Sequence, residues 1–320
     1  MRATTTPATA PADVVVLPAA VWRPRADAHA ARADALTAGH RERRSRHERH
    51  AIEDFLYEYY PTRPAQLRRW HPGAGTALAP DAVGPAPQGA WRWYRTGADG
   101  TVTLDVPAFL ADRGEAVQFV AGLVGATASR PAATGCFGLH EWAMVYREAD
   151  DEHRHPLPLR LGRDGTDAVV EAHRIRCTHV DAFRFFTPAA VPRNTLQPTR
   201  ATQVALEQPG CLHANMDCFK WALKLGPAVP GTLLLDCFDL AREIRIVDMR
   251  ASPYDVTPYA LTPIAIETAA GKREYVELQQ TFANRANGLR HRILEVCAVL
   301  ATAARTYESS TVLRQASYSR

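Results

Sequence analysis

The chain contains only three lysines, Lys220, Lys224 and Lys272, so its positive charge is carried almost entirely by arginine. An arginine fork binds carboxylate or phosphate bidentately, where lysine offers a point charge. Acidic partners are therefore permitted, although a net charge of +4 is small for a dedicated nucleic-acid binder. The six cysteines form no CxxC pair and no finger spacing, which excludes a zinc ribbon and points to reduced, buried thiols. No apolar run is long enough to span a membrane. Residues 14–21, VVVLPAAV, are too short and proline-interrupted for a secretory core, so a cytoplasmic protein is expected. The Gly-rich dinucleotide fingerprint, the P-loop, HExxH, GxSxG and the deaminase HxE…PCxxC pattern are all missing. Those absences weigh against nucleotide-dependent, zincin and α/β-hydrolase chemistry. The ExxH pair of four-helix di-metal proteins is missing too. No internal repeat is present.

What is present is an ordinary globular balance over 320 residues, with 46% hydrophobic and 22% charged residues. The pattern predicts an α+β fold, mostly helical, with small antiparallel β elements. A single globular domain is expected over 26–310. An Ala/Thr/Pro-rich disordered tail precedes it (1–25), and a frayed tail follows (311–320). The run ADDEHRHP (149–156) marks a surface loop and a possible sub-boundary. A hairpin is expected near 91–105, where WRWYR and TVTLD flank Gly97 and Asp99-Gly100. Further strands are expected near 157–188, around the β-branched pair Val169-Val170, and a strand pair near 262–278. Helices are expected near 27–60, 107–125, 134–147, 212–225, 232–247 and 281–306.

The segment 206–225, LEQPGCLHANMDCFKWALKL, is the densest in chemistry-capable side chains. After the Pro209-Gly210 break, Leu212, Met216, Phe219 and Leu223 form an apolar helix face. His213, Asp217, Lys220 and Lys224 form a titratable stripe beside it, with both lysines expected in solvent. At i,i+4 spacing His213 and Asp217 can meet. Such a pair can position water as a general base, ligate a metal, or serve as a plain ion pair. Other candidates are His140 and Glu141 on an apolar segment, His179 and Asp181 beside the Phe183/Phe185/Phe186 cluster, and the Asp236/Asp239/Glu243 stripe. A metal, if bound, would draw on His140, His213 and Asp217. That reading requires His140, His179 and His213 to converge. The run RERRSRHERH (41–50) offers Arg43, Arg44, Arg46 and Arg49 as DNA-phosphate contacts, or as a solvated helix face.

The segments HERHAIEDFLYEYYPTRPAQLRRWHPG, CFGLHEWAMVYR, HVDAFRFFTP and LEQPGCLHANMDCFKWALKL give the chain a wider likeness. Across roughly residues 27–255 it resembles an actinobacterial family identified as 3-methyladenine DNA glycosylases. The resemblance implies hydrolysis of the N-glycosidic bond of alkylated purines in damaged double-stranded DNA, with no cofactor. The damaged base would be flipped into an aromatic pocket. Asp217 would then stabilise the oxocarbenium-like sugar and direct water, oriented by His213, with His140 and Glu141 nearby. Trp142, Phe185 or Trp221 would face the cationic base. The glycine-rich hairpin followed by a catalytic aspartate, found in one large glycosylase superfamily, is absent, so no catalytic residue transfers from it. Two other classes compete. One is a helical metal-dependent oxidoreductase, di-iron or haem, with ligands among His140, Glu141, His213, Asp217 and the Asp236/Asp239 stripe. The other is a non-enzymatic nucleic-acid-binding protein.

Overall fold

The computed structural model describes residues 14–148 and 156–318. The proposed sub-boundary at 149–156 lies almost wholly outside the described residues, as do residues 1–13 of the expected tail. The rest of that tail is structured. Val15–Leu17 forms β1, and Ala19–Ser45 forms the 27-residue helix α1. Trp22 is what makes this order possible: its ring is buried and its Nε1 donates to the carbonyl of Ala79 at 2.9 Å.

Two short helices follow, α2 (Phe55–Tyr59) and α3 (Pro64–Leu67). Next come β2 (Thr76–Leu78), β3 (Tyr94–Thr96) and β4 (Val102–Leu104). The sheet order is β1-β2-β4-β3, with β1 parallel to β2 and the other pairings antiparallel. The expected hairpin is the β3–β4 pair, in register Tyr94 to Leu104. Trp22, Trp70, Leu78, Ala86 and Val102 pack as a small core of their own.

The remaining elements are α4 (Val106–Ala128), α5 (Leu139–Ala143), α6 (Gly162–Ala172), α7 (Val180–Phe183), α8 (Gln203–Leu206), α9 (Leu212–Leu225), α10 (Gly231–Arg250) and α11 (Ala269–Tyr318). The fold is α+β and mostly helical. Helix α9 is its axis: it packs on α4, α10 and α11, and α4 packs on α11. Such surroundings demand an apolar helix, and only Lys220, Leu223 and Lys224 of α9 escape burial. The α10 face Leu233, Cys237, Leu240, Ile244 and Val247 is buried as its spacing requires.

Three strand and helix expectations are corrected. Residues 157–188 hold α6 and α7, with only isolated bridges at Leu159 and Ile175. Thr166, Val169 and Val170 are the buried residues of α6, at i,i+3,i+4, so core burial on a helix face overrides their β propensity. The strand pair expected near 262–278 gives way to the start of α11 at Ala269. The long helix expected over 134–147 is confined to the five residues of α5. The backbone of α11 stays helical to Tyr318, through the stretch expected to fray. Among the described residues no helix is long and apolar enough to cross a membrane.

Candidate metal centre

Five separate pieces of chain deliver ionisable side chains to the buried end of α9. Helix α5 carries His140 and Glu141, and it can begin there because Phe137 and Gly138 are both left-handed, at φ 49° and 73°. A Cβ on Gly138 would stand 3.3 Å from that of Ala251 and 3.4 Å from the Tyr275 hydroxyl, so glycine also permits close docking. His179 precedes α7, and Glu207 follows α8. Helix α9 supplies His213 and Asp217. Helix α10 supplies Arg245 and Asp248, one turn apart on its buried face.

These residues form two adjacent groups. In the first, His140, Glu141, His213 and Asp248 each offer a ligand atom, all within 4.8 Å of one another. His140 Nε2 lies 3.0 Å from Asp248 Oδ1. Arg245 Nη1 donates to Asp248 Oδ2 at 3.1 Å and lies 3.5 Å from Glu141 Oε1. In the second, His179, Glu207 and Asp217 converge equally closely. His179 Nε2 lies 3.3 Å from Asp217 Oδ2 and 3.6 Å from Glu207 Oε1. Asp217 also accepts from the Tyr60 hydroxyl at 2.9 Å and from Lys220 Nζ at 3.0 Å.

His213 lies between the groups. Its ring centroid is 4.5 Å from that of His140 and 5.5 Å from that of His179. His213 and Asp217 do not pair as the i,i+4 spacing suggested; His213 belongs to the first group, and His179 takes the place against Asp217. The reason is the crowding of α9. Each of its side chains is claimed by a different neighbouring element, and residues four apart stand about 6 Å apart along the axis. The groups are thus displaced by about one helical turn.

The electrostatics follow from burial set against pairing. Burial disfavours a charged His140, yet Asp248 beside it lifts its pKa well above the ordinary histidine value. Burial likewise opposes charge on His179, and the hydrogen bond to Asp217 outweighs it. His213 has no carboxylate in hydrogen-bond range; burial and the neighbouring His140 push it down to about 3, so it is a neutral imidazole. Asp217 and Asp248 stay below the usual carboxylate range, because their cationic partners overcome burial. Burial raises Glu141 and Glu207. Among the described residues, Nδ1 of His179 and Nδ1 of His213 have no hydrogen-bond partner. Buried polar atoms are nearly always satisfied, so this pair needs an explanation.

The other sequence candidates fall elsewhere. Trp142 is fully buried, its Nε1 donating to the carbonyl of Ala251, and Trp221 packs in the core against Phe119. Neither presents a free face to a base, because both fill the space between packed helices; Phe185 is 38% exposed. Lys220, expected in solvent, is half-buried and bonded to Asp181 at 2.7 Å, whereas Lys224 is exposed. Asp236 is held by Arg32 and Arg292, Asp239 pairs with Arg32 and Arg242, and Glu243 pairs with Arg285; none of the three belongs to either ligand group. Arg43 is turned inward onto Glu53 and Asp54, Arg46 pairs with Glu42, and Arg44 and Arg49 are exposed.

Sequence reasoning missed Asp248, Glu207, Arg245 and Tyr60. Arg245 and Asp248 had a usable signal, being ionisable residues at i,i+3 flanked by the apolar positions of α10. Glu207 and Tyr60 sit at the ends of short helices, where a single sequence carries no comparable mark. Comparison with protein-family models, characterised proteins and solved structures finds no match to this chain.

Proposed function

We propose that the chain is a metal-dependent oxidoreductase with a buried non-haem centre, of the iron or manganese class. The observation that carries this reading is the convergence of three histidines and four carboxylates in the core. Ionisable groups in such number are expensive to bury, and a divalent cation offsets several of their charges at once. The donor set is imidazole and carboxylate, the combination that suits iron, manganese or zinc. His213 is already in the neutral form that a metal requires. Arg245 and Tyr60 bond the oxygens of Asp248 and Asp217 that His140 and His179 leave free, as outer-shell partners of metal ligands do. The ligating residues are at most 6% exposed, and a centre closed to bulk water protects the reactive species of redox chemistry from side reactions.

Metal analysis of the purified chain, with an optical spectrum, tests the reading. Stoichiometric iron or manganese is expected, reduced in His213→Ala, which removes a ligand of the first group, and in His179→Ala, which removes one of the second. A wild-type chain that takes up neither ferrous nor manganous ion, or that holds only redox-inert zinc, overturns it.

A second reading, N-glycosidic hydrolysis of alkylated purines, draws support from Asp217, which Lys220 and His179 keep ionised as an oxocarbenium-stabilising carboxylate must be. Release of methylated bases from duplex DNA by wild type but not by Asp217→Asn would favour it. Absence of base release rejects it.

A further inference from the structure

We infer that the substrate of this centre carries a carboxylate or phosphate group, held by a basic rim of Arg184, Arg200 and Lys220. The inference rests on the metal reading for the identity of the site and for the full surplus of charge on the rim; without a metal the three cations still outnumber Asp181 and Asp217 by one. Asp181 is 3% exposed, and three cations converge on it. Lys220 Nζ donates to its Oδ2 at 2.7 Å. Arg200 grips both its oxygens, one at 3.4 Å and the other more closely. Arg184 Nη1 stands 3.7 Å from Oδ1.

One buried carboxylate cannot neutralise three cations. Lys220 also bonds Asp217, but a metal held by Asp217 and Glu207 would take up the charge of those two carboxylates. The rim then retains a surplus of about two positive charges, by Coulomb bookkeeping over neighbours a few ångströms apart. Arg200 and Arg184 keep 59% and 52% of their side chains in solvent, so donors remain open to an incoming anion. Two flat forks are the donors best matched to an oxyanion.

Position supports the same conclusion. Lys220 bridges the rim to Asp217 of the ligand group, so an anion seated on Arg184 and Arg200 lies one side chain away from the centre. The rim also carries aromatic surface: the Arg184 guanidinium lies 4.6 Å over the Phe185 ring, which is exposed. The group recognised is thus an oxyanion on a small molecule that has an apolar portion.

The test uses the full chain, with and without added manganous ion, titrated by calorimetry with benzoate, with phenyl phosphate and with neutral benzyl alcohol. One saturable site is expected for at least one of the two anions, and none for the alcohol. The tighter of the two identifies the acidic group. In the double variant Arg184→Gln/Arg200→Gln, anion affinity should fall at least tenfold while metal stoichiometry stays unchanged. Equal binding of benzyl alcohol, failure of both anions to bind, or unaltered anion affinity in the double variant overturns the inference. If the chain takes up no metal, the centre is lost but the rim is still judged by the metal-free titration, so the two failures are distinguishable.

Discussion

The ring of His213 stands nearly perpendicular to that of His140, at 79° and 4.5 Å between centroids. Two buried imidazoles this close cannot both be protonated without strong repulsion. The conflict is settled by Asp248, which pairs with His140 and leaves His213 neutral. That division supplies a charged and a neutral imidazole side by side, and a metal would exchange the proton on His140 for its own charge.

Metal binding should therefore stabilise the fold in a concentration-dependent way. A ligand at 100 times its Kd adds about 2.7 kcal/mol, and for a chain of 320 residues that is a rise in Tm of roughly 4 °C. Differential scanning fluorimetry with manganous ion against a chelator should show the rise in wild type, a smaller one in His213→Ala and none in His179→Ala/His213→Ala. A Tm indifferent to metal and chelator in wild type would contradict the prediction.

Arg245 is the test of how strongly the apo site leans on internal pairing. It is 4% exposed and serves both Asp248 and Glu141. Removing one partner of a buried ion pair leaves the other uncompensated, so Arg245→Met should destabilise by about 3–5 kcal/mol. The exposed pair Arg285–Glu243, bonded at 2.5 and 2.7 Å, is the control. Arg285→Met should change stability by less than about 1 kcal/mol. Urea unfolding midpoints separate the two; similar values would show that the apo site carries little electrostatic stress.

The helix cores were legible because their apolar spacing is local. Leu212, Met216 and Phe219 of α9 and the five-residue face of α10 are buried where the 3.6-residue period puts them. His140 and Glu141 stood out as polar residues in an apolar segment, and His140, His179 and His213 do converge. What could not be read is partner choice. The i,i+4 rule says that His213 and Asp217 can touch, but the histidine that bonds Asp217 is His179, 38 residues away in the chain. The Val169-Val170 pair misled for a related reason: propensity is weak beside the burial that tertiary packing provides.

Acid sensitivity should have two histidine sources, His213 in the first ligand group, held at about 3, and His71 away from both groups. Burial lowers the pKa of His71 from 6.5 to about 4, and its Nδ1 lies 2.9 Å from the Tyr94 hydroxyl. Burial lowers His29 as well. Above pH 6.5 both folded and unfolded chains hold His71 neutral, and stability does not depend on it. Below that value the unfolded chain takes up the proton first, so stability falls with pH until the folded pKa is reached. The loss due to His71 is at most about 3 kcal/mol. Unfolding measured at pH 7 and pH 4.5 should show a smaller drop in His71→Phe than in wild type. An equal drop would place the acid sensitivity elsewhere.

Gly210 fixes where α9 begins, and with it the position of His213. A Cβ at Gly210 would lie 2.3 Å from the carbonyl oxygen of Ala133 and 2.9 Å from its nitrogen. Both are backbone atoms that cannot rotate away. The approach is clamped by Gln208, whose Oε1 accepts from Ala133 N at 2.8 Å and from Gly210 N at 2.6 Å, and whose Nε2 donates to Ala133 O at 3.1 Å. Gly210→Ala must therefore push the 133 segment from the start of α9. Since the same segment continues into Cys136 and His140, the first ligand group should loosen with it. A destabilisation of about 2–3 kcal/mol is expected, the range of a strained or overpacked core position. Metal affinity should fall as well. Gly288→Ala on α11, where an added Cβ meets nothing within 4 Å, should be neutral or slightly stabilising, because alanine is the better helix former. If Gly210→Ala unfolds at the wild-type urea concentration and binds metal equally well, the contact with Ala133 does not position the centre.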